Sequence, residues 1–315
     1  MILKRYLHII VISLSPFVIK AQQQPDFSQF VNNKIYFSPA NISHEDPSFV
    51  SLYYQGRWVG ISDSPFILGF NFQHFFKEKN MGLALSLLND KIGFENNINI
   101  RGSYCYQLTL KEDKLNLGIG VGALYKSLVN KEWITPDLLG EDDIVIPNSF
   151  SGGISPNFHL GILYSSKEYH LGISAINLLE MPSSMANITV PMKRIIYLHG
   201  GYDISFSDNL ELKPQLILSS DMSDYTANLT TMAVLYNKFH LGVNYLFQDS
   251  MGLIFGIKAI DKLLISYSYN YPFFNELKGS HEVFLRYSLE LTDLFDSNNR
   301  IKLNKNNRVR GIRFL

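Results

Sequence analysis

Residues Asn97 to Leu110 read NINIRGSYCYQLTL, and Asn97, Asn99, Arg101, Ser103, Cys105, Gln107 and Thr109 alternate with Ile98, Ile100, Gly102, Tyr104, Tyr106, Leu108 and Leu110. Wound as a helix, this stretch would scatter its apolar side chains around the whole circumference; extended, it puts them on one face. It predicts a strand, longer than most in globular proteins and about long enough to cross a bilayer at a slant.

The same period of two recurs on both sides of it. Phe66, Leu68, Phe70 and Phe72 precede a charged turn at Lys77 to Asn80, and Leu115, Leu117, Ile119 and Val121 follow the turn after Leu110. Further tight turns fall at Ser165 to Glu168, Ser207 to Asn209, Asn237-Lys238 and Asp261-Lys262. Longer connections fall at Val59 to Pro65, Lys126 to Pro156, Asn177 to Met192 and Pro272 to Ser280, always after odd-numbered strands. With a first strand at Phe49 to Trp58, a link at Asn89 to Gly93 and a last strand ending at Leu291, the count is about fourteen, even as bacterial barrels require.

The predicted fold class is therefore all-β: a transmembrane antiparallel up-and-down β-barrel with both termini in the periplasm. Closure is forced by chemistry, because an open sheet edge in hydrocarbon leaves backbone groups unpaired at several kcal/mol each. Tyr106, Tyr125, Tyr164, Tyr169, Phe206, Tyr236, Phe239 and Tyr271, near strand ends, are expected to form interfacial girdles. A soluble β-sandwich permits the same alternation but rarely sustains so many long strands.

The rest of the chain is divided around that barrel, taken as residues 49–291. Lys4 and Arg5 followed by an apolar core from Leu7 to Ile19 predict a signal peptide over residues 1–21 that directs export to the outer membrane. Residues 22–48, rich in Asn, Gln, Ser and Pro, form an irregular lead-in or plug, and the sequence leaves open which. Residues 292–315 form a tail carrying Arg300, Lys302, Lys305, Arg308, Arg310 and Arg313, which suits an acidic partner. Equal counts of 28 basic and 28 acidic residues give no pull toward nucleic acid, and none is expected as a partner.

No catalytic constellation, cofactor site or metal site is expected. His159, His170 and His240 are predicted to face the lumen as polar lining, and Glu141-Asp142-Asp143 matches no calcium-loop spacing. Cys105, the one cysteine, has no disulfide partner in the chain and is read as a small space-filling residue. Gly118, Gly120 and Gly122 have no helix after them to bind phosphate; small lumen residues instead let an inner segment approach closely.

Four strings together resemble the PorP/SprF family, outer-membrane proteins of the type IX secretion system of Bacteroidetes. They are AQQQPDFSQF with Asn33 and Ser38-Pro39-Ala40 after it, YYQGRWVGISDSP (Tyr53 to Pro65), Met81 to Leu110, and the closing Arg313-Phe314. Where the family usually reads Asn-Pro-Ala-Tyr-Ala-Gly, this chain has Ser38-Pro39-Ala40-Asn41-Ile42-Ser43. The resemblance marks Phe27, Gln29, Asn33, Pro39, Ala40, Trp58, Pro65, Asn89, Asp90, Gly93, Arg313 and Phe314 as structural or partner-binding positions. It implies a non-enzymatic part in exporting or attaching cargo proteins or adhesins, with a link to gliding motility in some members. The implied partners are outer-membrane lipid, periplasmic ring or outer-membrane components of the secretion system, and the C-terminal domain of a cargo protein or an adhesin. The rival reading from the barrel alone is a passive porin or small-solute transporter.

Overall fold

A computed structural model of the chain describes residues 26–43, 45, 47–128, 151–185, 188–274 and 278–291. Seventeen strands lie among them: β1 Ser48–Gly56, β2 Phe66–Phe76, β3 Met81–Ile92, β4 Glu95–Leu110, β5 Asp113–Leu128, β6 Ser151–Ser165, β7 Tyr169–Ile176, β8 Ser183–Met185 and β9 Ile188–Val190. They continue with β10 Ile195–Tyr202, β11 Ile204–Ser207, β12 Leu210–Ser220, β13 Tyr225–Leu235, β14 Phe239–Leu246, β15 Ser250–Ile260, β16 Leu263–Pro272 and β17 Ser280–Ser288. Strands β8 and β9 form a separate small hairpin, and β10 and β11 are two halves of one crossing, broken at Asp203 and both paired with β12. The remainder is a closed antiparallel barrel of fourteen strands, in which β1 pairs with β17 from Phe49 opposite Ser288 to Gly56 opposite His281.

Burial in the barrel wall runs opposite to that of a soluble sheet. On β4, Arg101, Ser103, Cys105 and Gln107 are buried, whereas Ile100, Tyr104, Tyr106 and Leu108 are exposed. The outer face is apolar all the way round, with Leu83, Ile119, Ile162, Leu253 and Tyr269 on it, and the inner face is polar except at positions such as Tyr53, Tyr197, Ile217 and Phe284. Such a surface is stable only against hydrocarbon, so the sandwich alternative falls and the barrel spans a membrane.

Strand limits correct several expectations. Strand β1 stops at Gly56, because Trp58 has a positive φ of 52° and begins the loop. Strands β5 and β6 run 16 and 15 residues and pair from Leu128 opposite Ser151 down to Lys114 opposite Ser165, so the long connection is residues 129–150. Gly152, Gly153, Ser155 and Pro156 hid that extension, since small residues show no apolar alternation. Asn89 and Asp90 lie within β3, and the turn is Gly93-Phe94, with Gly93 at φ 59°. The last strand ends at Ser288. Residues 1–21 and the whole of the basic tail, Arg313 and Phe314 included, lie outside the described residues.

Six short turns, at 77–80, 111–112, 166–168, 208–209, 236–238 and 261–262, lie at one end with Ser48 and Ser288, and three, Gly93-Phe94, 221–224 and 247–249, lie at the other. The connections at 57–65, 129–150, 177–194 and 273–279 lie at that other end as well. These are called below the short-turn end and the long-loop end.

Candidate functional site

Residues 26–43 lie inside the barrel and run its length. Asp26 starts at the long-loop end, where its carbonyl accepts from Gln55 Nε2 at 2.7 Å, and the chain leaves at the short-turn end to begin β1. A segment threaded this way must start at the end opposite to β1. Among the described residues Asp26 and Ser288 lie at opposite ends of the barrel; the termini themselves, expected on one side, lie outside the described residues.

Near its start the segment is held by polar groups. Ser28 N and Gln29 N donate to the two carboxylate oxygens of buried Glu282 at 2.9 and 3.1 Å, and Gln55 Nε2 donates to the same carboxylate at 2.8 Å. Asn228 Nδ2 donates to Phe27 O at 2.9 Å and Thr230 Oγ1 to Ser28 O at 3.2 Å. An ionised carboxylate accepting backbone N–H groups makes charge-assisted bonds, each stronger than a neutral one.

At mid-depth comes the one-turn helix α1, Lys34–Phe37. A helix this short satisfies few of its own carbonyls, and the barrel satisfies the others. Arg101 Nη2 and Nη1 donate to Ile35 O at 2.7 Å and Tyr36 O at 3.0 Å, and Ser174 Oγ donates to Phe37 O at 2.8 Å. Around it Phe27, Phe30, Tyr36 and Phe37 pack with Tyr53, Tyr197 and Phe284 of the wall. Phe27 meets Tyr36 and Tyr53 edge to face at 5.2 and 5.4 Å, and Phe37 meets Tyr197 at 5.2 Å. Such pairs add about 0.5–1.5 kcal/mol each beyond area burial.

Toward the short-turn end Ser38, Pro39 and Ala40 lie on glycines. A Cβ added at Gly118 would stand 2.3 Å from Ala40 N and 2.4 Å from Pro39 C, and one at Gly161 would stand 2.3 Å from Ser38 Oγ. Asn116 Nδ2 donates to Ala40 O at 3.0 Å, and Cys105 Sγ lies 3.8 Å from the same oxygen. Gly118 therefore seats the inner segment, whereas Gly120 and Gly122 make room for Arg101, His159 and Asn157 of the wall.

The twelve positions marked in the sequence separate. Phe27, Gln29, Asn33, Pro39 and Ala40 come together within the lumen segment, with Asn33 Oδ1 accepting from Asn71 Nδ2 at 2.9 Å. Trp58 and Pro65 belong to the first long-loop connection, where Arg57 N donates to Pro65 O at 2.9 Å. Asn89, Asp90 and Gly93 sit high on β3 and its turn.

Beside the segment, toward the long-loop end, is a cavity of about 270 Å³. Tyr36, Tyr53, Arg101 and His159 lie deepest in its lining, and Asp90, Asn97 and Lys126 stand higher on β3, β4 and β5. Lys126 Nζ pairs with Glu95 at 2.7 Å. Among the described residues, no three His, Cys, Asp or Glu side chains are grouped to hold a metal. Sequence reasoning missed Arg101 and Glu282. Their signal was a charge set in a row of lumen-facing Ser, Asn and Gln.

A family profile described as "Type IX secretion system membrane protein PorP/SprF" matches residues 19–287. A comparison with curated proteins gives no match. Among solved structures, the toluene transporter TbuX of Ralstonia pickettii is similar at TM-score 0.52 and 12% identity, over 82% of this chain and 94% of that one. The monoaromatic hydrocarbon channel CymD is similar at TM-score 0.51 and 12% identity, over 82% and 93%. At these identities the likeness is one of fold, that of outer-membrane transport barrels.

Proposed function

Because the chain belongs to the PorP/SprF family of type IX secretion system membrane proteins, we propose that it is a non-enzymatic outer-membrane component of that system, holding or passing a protein client. In this reading it aids export or surface attachment of cargo proteins or adhesins, including those used in gliding. Its partners are other outer-membrane or periplasmic ring components, and the C-terminal domain of a cargo protein or an adhesin. The short-turn end faces the periplasm and the long-loop end the exterior, as is usual for such barrels. Asp26 then lies at the outer end.

The observation that carries the reading is the filled lumen. A segment bonded to Glu282 on one side, Arg101 and Ser174 on others, and seated on Gly118 and Gly161 does not leave a standing pore for solutes. A deletion strain is expected to lose surface delivery of at least one type IX cargo, measured by surface proteolysis and proteomics of the medium. Unchanged delivery of every cargo would sink the proposal.

The cavity at the long-loop end favours a second reading, a small-solute channel whose inner segment moves aside. Planar-bilayer recording separates the two: a steady solute-permeable current from the intact chain supports the channel, and a silent barrel supports the secretion component.

A further inference from the structure

Arg101 is only 4% exposed, and two of its guanidinium nitrogens are taken by the carbonyls of Ile35 and Tyr36. Its Nε–H has no partner, and among the described residues no carboxylate pairs with it. His159, 2% exposed, lies beside it with both ring nitrogens unpartnered. Gly120 makes the adjacency possible: a Cβ there would stand 3.2 Å from His159 Cβ and 3.4 Å from Arg101 Cδ. Both side chains line the cavity. A neutral buried orphan is satisfied by water, but a buried cation without a counter-charge is a much larger deficit. A neutral imidazole can add one N–H donor to the guanidinium's.

We propose that this cavity binds a carboxylate, drawn to the part of its lining where the unpaired Arg101 guanidinium and the His159 ring stand side by side, on a ligand small enough for about 270 Å³. That space is roughly nine waters' share of liquid volume, which suits a small organic acid or the last residues of a polypeptide. The walls fit an amphipathic body: Tyr36, Tyr53, Leu88 and Leu124 offer apolar surface, and Asn97 Oδ1 is a free acceptor. Asp90, four residues along β3 from the position opposite Arg101, lies roughly 13 Å away along the strand and disfavours a second acidic group at that depth. The site goes beyond the secretion reading and does not depend on it. A cargo-delivery phenotype can stand while this site fails, and the reverse.

The test uses the full-length protein in detergent, titrated calorimetrically with 3-phenylpropionate and with the peptide Ala-Ala-Ala-Phe as free acid and as C-terminal amide. The acid form of at least one probe is expected to bind. Replacing that carboxylate by an amide, or Arg101 by Gln, is expected to weaken binding about tenfold or more, the loss of one charge-assisted hydrogen bond. Since Arg101→Gln also touches the lumen segment, a second pair of variants leaves that contact alone. Ser86 stands directly opposite Arg101 across β3 and β4, and its Oγ is unpartnered. Ser86→Asp supplies a built-in carboxylate and is expected to abolish binding, whereas Ser86→Asn keeps it within about threefold. A preference for the peptide acid assigns a chain end, and equal or better binding of 3-phenylpropionate assigns a free organic acid. No binding by either acid, equal binding of acid and amide, or full binding by Ser86→Asp overturns the proposal.

Discussion

Ser28 and Gln29 meet the barrel through the carboxylate of Glu282, whereas Pro39 and Ala40 meet it through the missing side chains of Gly118 and Gly161. Both contacts belong to one segment of fewer than twenty residues, yet they fail in different ways. Hydrogen bonds to a charged group contribute about 1.5–3 kcal/mol each and weaken gradually as water or protons compete. A backbone seated on a glycine either fits or does not, because no rotamer relieves a clash with main-chain atoms. The half of the segment near the long-loop end is thus held in part by contacts that loosen gradually, and the half near the short-turn end by shape.

The division breaks most severely at Gly118. In Gly118→Val the new Cβ would overlap Ala40 N and Pro39 C, and expulsion of the half near the short-turn end is expected, at about 3 kcal/mol or more. Cys105 reports it: buried and beside Ala40 O in the native chain, it is expected to resist a water-soluble maleimide, and to react in the variant. Gly102→Ala, whose Cβ would meet only Val121 O at 3.9 Å, serves as the control and should leave the thiol silent. A Gly118→Val protein with an unreactive Cys105 would show that shape does not hold that half.

A smaller and more local effect is expected at Glu282. Glu282→Gln removes the charge but keeps one oxygen to accept, so the Ser28 and Gln29 amides should exchange with deuterium roughly tenfold faster, equivalent to about 1.4 kcal/mol. Cys105 should stay unlabelled. Exposure of the thiol in this variant would mean that the two halves open as one unit.

How far this arrangement was legible in the sequence depended on which side of a strand carried the signal. Lipid-facing positions such as Ile98, Ile100, Tyr104 and Tyr106 repeat strictly, because the bilayer imposes one demand on all of them. Lumen-facing positions answer to whatever lies inside, and here that is an apolar as well as a polar segment. Phe284 sits between Glu282 and Arg286 in the inward row of β17, and Tyr53, Tyr197 and Ile217 interrupt other inward rows. Each looks like an irregularity in the alternation, and together they form the footprint of Phe27, Phe30, Tyr36 and Phe37. The glycine rows announced a close approach without saying by what. The segment's direction was not legible at all, since it depends on long-range pairings such as Ser28 with Glu282, which no local pattern encodes.

The smallest expected effect, and the one that tests the polar contacts near the long-loop end, is on pH. Burial pushes Asp26 up from the usual 3.8 to about 6; Arg57 opposes this, and Asp249 and Glu282 add to it. The ionised carboxylate is therefore disfavoured in the docked state. The contribution of Asp26 to docking is full below the ordinary carboxylate value and is lost as pH rises through about 6. The Ser28 and Gln29 amides, corrected for intrinsic exchange, are expected to open more readily at pH 7.5 than at pH 5, by a few-fold. Asp26→Asn should be closed at both values and flatten the difference. Because Pro39 and Ala40 rest on glycines rather than on a titrating group, Cys105 reactivity, corrected for thiolate fraction, should not follow the same curve; a parallel curve would mean that the charged contact governs the whole segment.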